Sequence, residues 1–219
     1  DLNFVKADGE QTYFVNGDTV VFNDNATVKD IVIDETIYPA YVIFDNSTLD
    51  YTLSGDSIGG SAVLTKQGSA KLTINNQNNF TGGTNLLDGQ IAVTTLANSD
   101  GDEFGALGNI ASPINLSGGK LTTSGTVYCS HKINVLDSAT INISGSLLLS
   151  RGISATSKTH YSKTGSGSLT LAEEVNGGAM HIVEGTVYAT EYNSTMSTPP
   201  TVYLEGGTLS DVDNAGSYT

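Results

Sequence analysis

The string G-T-V-Y occurs twice in this chain, at Gly125 to Tyr128 and again at Gly185 to Tyr188. The chain has ten tyrosines and no tryptophan. If Val127 and Val187 face inward, as β-branched residues of a half-buried strand should, Tyr128 and Tyr188 face outward on one side. An exposed aromatic ring offers an apolar plate to the C–H face of a pyranose, while its hydroxyl and neighbouring Asn or Thr groups pair with sugar hydroxyls. Tyr128 and Tyr188 are therefore candidate ligand-binding residues, with Tyr161, Tyr192 and Tyr203 expected on or near the same face. The competing reading is an ordinary cross-strand aromatic ladder. Tyr38 and Tyr41, which flank Pro39, read as packing in a cap.

Other chemistry-bearing residues are sparse. His131, His160 and His181 are separated by roughly one turn of a repeat each, and they read as isolated exposed histidines rather than as a zinc site, which needs ligands in tight register. Asp100, Asp102 and Glu103 form an acidic loop that is a weak candidate for calcium and otherwise a solvated loop; the spacing is not that of an EF-hand. No other cofactor is expected. Lys66 and Lys163 occupy matching places in two copies of the repeat and read as outward lysines at strand ends. Asn115, Asn134 and Asn142, central in apolar triplets, read as outward hydrogen-bonding ladders.

The elements that must position these residues follow from a rhythm. Gly145, Gly165, Gly185 and Gly206 are spaced 20, 20 and 21 apart, and Gly68 to Gly89 is 21. Short triplets such as Leu72-Thr73-Ile74, Ile91-Ala92-Val93, Ile133-Asn134-Val135 and Ile141-Asn142-Ile143 alternate apolar, polar, apolar, the mark of a strand with one buried face. With 25 glycines and no helical spacing of Leu, Met and Glu, helix is expected to be nearly absent. A turn of about 20 residues built from short strands predicts an all-β, right-handed parallel β-helix of about ten turns. The chain reads as a single domain, residues 1–219. Residues 1–60 form less regular N-terminal turns or a cap, and 61–219 carry the repeats. Ala97 to Pro113 and Glu191 to Thr201 break the rhythm and read as loops ejected from the rod. The two G-T-V-Y strings are three periods apart, so on such a body Tyr128 and Tyr188 stand three strand spacings from each other, about 14 Å. The rise of one turn is close to that of one sugar in an extended β-1,4-linked chain.

A formal net charge of −14 with nine Lys and Arg argues against nucleic acid and anionic membranes as partners. A single cysteine, Cys129, excludes an intrachain disulfide. No segment has the run of about 20 apolar residues that a membrane helix needs. The chain opens at Asp1 without a signal-peptide pattern, as a mature or trimmed piece would.

Several strings carry a family resemblance. Leu64 to Ile74 (L-T-K-Q-G-S-A-K-L-T-I), Asn79 to Thr84 (N-F-T-G-G-T), Asp88 to Val93 (D-G-Q-I-A-V), Phe104 to Gly108 (F-G-A-L-G) and Leu116 to Leu121 (L-S-G-G-K-L) follow one another in a fixed order. A second copy keeps Lys163 to Leu171 (K-T-G-S-G-S-L-T-L), Gly177-Gly178, Glu184 to Val187 (E-G-T-V) and Leu204 to Leu209 (L-E-G-G-T-L), and loses the A-L-G element. This resembles the passenger-associated, autotransporter-type β-strand repeat, and it covers about two thirds of the chain. The resemblance implies a right-handed parallel β-helix of a secreted or cell-surface bacterial protein. The chain is also similar to a small β-helical class of carbohydrate-binding modules attached to xylan-degrading enzymes. That similarity implies a non-catalytic module recognising a plant polysaccharide, foremost xylan or another neutral β-1,4-linked glycan, and appended to a glycoside hydrolase. The alternatives are a stalk of an autotransporter-type adhesin and a polysaccharide lyase or hydrolase. Against catalysis, the clustered aspartates of β-helical pectin hydrolases are missing, and the sole arginine, Arg151, has no acidic cluster beside it in the sequence.

Overall fold

The alternating triplets become strands that stack in register. The computed structural model describes residues 4–6, 8–96, 103–173, 175–189, 200–211 and 217–218, and these contain no helix. Two long parallel sheets run the length of the body, one of nine strands and one of eight; a third, of six strands, joins them only from Thr126 onward. The early turns are thus two-sided and the later ones three-sided. The chain is an all-β parallel β-solenoid of about eight turns, fewer than the ten expected. Glycine spacing overcounts turns because the N-terminal antiparallel pair adds no rung, the early turns exceed the glycine period, and one turn is long. Val20, Val42 and Leu64 are successive partners at equal intervals along the chain, whereas the step from Thr84 to Ile114 is distinctly longer.

Inward positions form continuous ladders. In the nine-stranded sheet Tyr51, Leu72, Ile91, Leu121 and Ile141 lie one above another. All five are buried. The next member of that ladder is Lys163, followed by Ile182. Likewise, in the eight-stranded sheet Lys66 follows Phe22 and Phe44 and precedes Leu86.

These two lysines correct the expectation that they point outward. Both side chains are fully buried. Their aliphatic stems extend the apolar ladders, and the ammonium groups turn into a glycine-rich corner. Nζ of Lys66 donates to the carbonyls of Gln67 and Gly68. Nζ of Lys163 donates to those of Gly165, Gly167 and Glu184. Burial lowers the pKa of both ammonium groups. The K-x-G element of the repeat is therefore a corner device: lysine supplies donors for carbonyls at the bend, where those of Gln67 and Gly167 each accept one backbone N–H as well.

Parallel stacking begins at Thr19–Asn23. What precedes it is an antiparallel pair, Phe4–Val5 with Gln11–Thr12. Phe4 lies 6.4 Å from both Phe14 and Phe22, and Phe22 stacks on Phe44 at 4.7 Å. Aromatic packing thus covers the first turn, as an uncovered strand edge requires. Asp24 ties the first two turns together by accepting the N–H groups of Ser47, Thr48 and Leu49, which hold its carboxyl well below the usual range.

The stretch Ala97 to Pro113 is only partly a projection. Residues 97–102 lie outside the described residues. Phe104–Gly105 and Gly108–Asn109 form a small antiparallel pair whose tip, Ala106 and Leu107, is buried in the core. In the second break, residues 191–199 lie outside the described residues, and Thr201 already opens the strand Thr201–Leu204.

His131 supplies a test of this packing. Its ring is buried, Nδ1 donates to the Ser112 carbonyl at 2.9 Å, and burial lowers its pKa, with the charge of Arg151 acting in the same direction. Below pH 6.5 the unfolded chain takes up the proton first, so stability is lost as pH falls through that value. Urea unfolding at pH 7.5 and 5.5 should show the wild type losing about 1 kcal/mol more than His131→Gln, given a limit of about 1.4 kcal/mol per pH unit. Equal losses would refute the assignment.

Candidate functional site

In the six-stranded sheet, Val127, Leu147, Leu169 and Val187 form a buried inward ladder, and the alternate residues face out. The outward ladder reads Tyr128, Leu148, Thr170, Tyr188, each the register partner of the next. Tyr128 is half-buried and Tyr188 is 37 % exposed. Three strand spacings separate them, about 14 Å. Leu148 and Thr170 lie between, so the two rings bracket a strip with an apolar and a hydroxyl-bearing rung.

Tyr161 and Tyr203 do not join this face. Tyr161 points inward in the nine-stranded sheet and is 2 % exposed, between Ala139 and Met180. It shares the parity of Lys163 two residues on, so both face the core, and the expectation of an outward Tyr161 is corrected. Tyr203 is outward but belongs to the nine-stranded sheet, as the partner of His181. Tyr192 lies outside the described residues, as do Asp100 and Asp102; Glu103 is exposed.

The nine-stranded sheet carries a second constellation. Ser162, His181 and Tyr203 are successive outward partners, and His160 stands one outward position before Ser162. The ring of Tyr203 stacks on that of His181, 4.7 Å between centroids and 14° between planes. Nδ1 of His181 is 2.7 Å from Oε1 of Glu205, and Nε2 of His181 is 3.1 Å from Nδ1 of His160. The two imidazole rings border an open dish of about 330 Å³ lined also by Ser138, Thr140 and Ser162. His160 and His181 are therefore coupled rather than isolated. Their separation by a single turn was the signal in the sequence; Glu205 and the hydroxyl lining had none.

Two groups stand apart from both faces. Cys129 is buried, and burial pushes its thiol up to about 12, which leaves it un-ionised and inert at neutral pH. On the eight-stranded sheet Asn134 donates to Asn115 and Asn115 to Asn85, each at 2.9 Å, and Asn142 donates to Thr164 at 2.9 Å on the nine-stranded sheet. These are the expected ladders. Among the described residues no group of three His, Cys, Asp or Glu side chains is arranged to hold a metal ion.

Comparison with protein-family models, with curated proteins and with solved structures finds no match.

Proposed function

We propose that this β-solenoid is a non-catalytic module that binds an extended neutral polysaccharide, foremost a β-1,4-linked chain such as xylan, on an outward face. The observation that carries the reading is the register of Tyr128 and Tyr188: two outward rings in one ladder, three rungs apart, on a rigid parallel sheet. Rings fixed by a sheet lose little freedom on meeting a ligand. The net charge of −14 disfavours polyuronates and polyphosphates. The repeat resemblance supports a secreted or cell-surface bacterial setting and attachment to a glycoside hydrolase.

Isothermal titration with xylan, β-glucan, mannan and pectin tests the reading. Saturable binding to one neutral polymer is expected, with Tyr128→Ala and Tyr188→Ala each weakening it about tenfold, roughly 1.4 kcal/mol for one lost aromatic contact. Silence across the panel would overturn the reading in favour of a stalk that displays another module.

A further inference from the structure

The tyrosine ladder leaves the dish on the nine-stranded sheet without a role. Its character is decided by the hydrogen-bonded chain at its rim. An ionised carboxylate only accepts, so Nδ1 of His181 carries a proton and donates it to Glu205. In the neutral ring the other nitrogen, Nε2, is then a lone pair. Nδ1 of His160 faces that lone pair at 3.1 Å and must be the protonated nitrogen of its own ring. What remains is Nε2 of His160, fixed as an acceptor. Two contacts hold the geometry: Tyr203 covers one face of His181, and Glu205 anchors its far nitrogen.

The rings meet head-on. Their centroids are 5.4 Å apart for nitrogens 3.1 Å apart, so the two nitrogens lie close to the line joining the ring centres. That is the geometry of a shared proton. Two imidazoles on one tetrahedral zinc converge at an angle instead.

The dish is therefore lined by His160, whose Nε2 is a fixed acceptor, and by the hydroxyls of Thr140, Ser162 and Ser138, the last of which donates to Asp137 Oδ1 at 3.4 Å. Its volume of about 330 Å³ is at the small end of ligand sites. Glu205 and the acidic surface oppose a carboxylate there. We propose that this dish is a second binding site, taking a short stretch of neutral sugar whose hydroxyl donates to Nε2 of His160, with Glu205 as a positioning residue that sets the acceptor state from two rings away. The ligand class rests on the glycan reading above; the site does not, since it lies on a different sheet from Tyr128 and Tyr188.

Long-range ¹⁵N–¹H NMR of the histidine rings at pH 8, with and without xylohexaose, tests it. His160 and His181 should both be protonated on Nδ1 in the free protein. Glu205→Ala should mix the tautomers of both rings, whereas Glu205→Gln, whose amide carbonyl accepts the same proton, should preserve them. Xylohexaose should move the His160 Nε2 resonance saturably, and should still do so in the Tyr128→Ala/Tyr188→Ala double variant. Hexagalacturonate should leave it in place. His160→Ala should weaken binding to the double variant at least tenfold, and Glu205→Ala about fivefold. An Nε2-protonated His160 in the wild type would overturn the chain. Xylohexaose that perturbs Tyr128 and Tyr188 but not His160 would overturn this site alone, and xylohexaose that perturbs neither face would overturn both readings.

Discussion

Lys163→Met is expected to destabilise the solenoid by on the order of 3 kcal/mol, a fall in melting temperature of about 6–12 °C for a chain of this size. Methionine keeps the unbranched stem and its packing between Ile141 and Ile182. It removes the donors for Gly165, Gly167 and Glu184. A buried charge is not in itself stabilising, and an apolar replacement can be neutral when it removes both partners of an interaction. Here the carbonyls stay behind: that of Gly167 keeps the N–H of Thr186, while those of Gly165 and Glu184 lose the lysine donor. Lys71→Met is the control: its ammonium is 3.5 Å from Asp50 on the exposed surface, and the change should be under about 1 kcal/mol. In a solenoid each rung is supported by its neighbours, so hydrogen exchange should show the loss concentrated from Lys163 towards the C-terminus. Uniform loss of protection, or none, would refute the corner role.

The second large effect belongs to the glycine that makes room for that ammonium. Gly185 has φ +72°, and a Cβ there would stand 2.3 Å from Nζ of Lys163 and 2.2 Å from the Gly167 carbonyl oxygen. Gly125 has nearly the same backbone, φ +74°, with nothing within 4 Å of the added atom. Gly125→Ala should therefore show the left-handed conformation alone, about 1–2 kcal/mol. Gly185→Ala adds a clash with backbone that cannot move aside, and its cost should exceed about 3 kcal/mol in urea unfolding. The Lys163→Met/Gly185→Ala pair should fall short of the sum of its members, because the two share one corner. Equal losses for the two glycines would show that the corner yields freely.

The fold was legible because its signal repeats. One period-two triplet is ambiguous, but many at a fixed spacing leave little besides stacked parallel strands. The same logic placed Tyr128 and Tyr188: identical strings three periods apart land on one ladder because the longer turn from Leu148 to Thr170 and the shorter one from Thr170 to Tyr188 offset each other. Counting turns failed because chain can lengthen without adding a rung, in the antiparallel pair before Thr19, in early turns longer than the glycine period, and most in the step from Thr84 to Ile114. The lysines were misread by residue type. Lys66 stands two positions after apolar Leu64, so alternation already set it inward, whereas Lys163 shares the parity of Tyr161, itself expected outward. Only the carbonyl-lined corner makes that parity tolerable for a cation, and no local pattern spells out such a corner. Glu205 was silent for a related reason. It sits in a bend after Leu204 and meets His181 of the preceding turn, a contact set by how two bends superpose rather than by any motif.

The parallel register also sets how the rod would answer a pull along its axis. Its inter-strand hydrogen bonds lie along that direction, so tension would open one rung at a time from an end, in the manner of a zipper. Each released turn of ordinary length, such as Val20 to Val42, would lengthen the tether by roughly 70–80 Å. The long turn from Thr84 to Ile114 would yield roughly 100 Å, a distinctive step marking the middle of a force–extension trace.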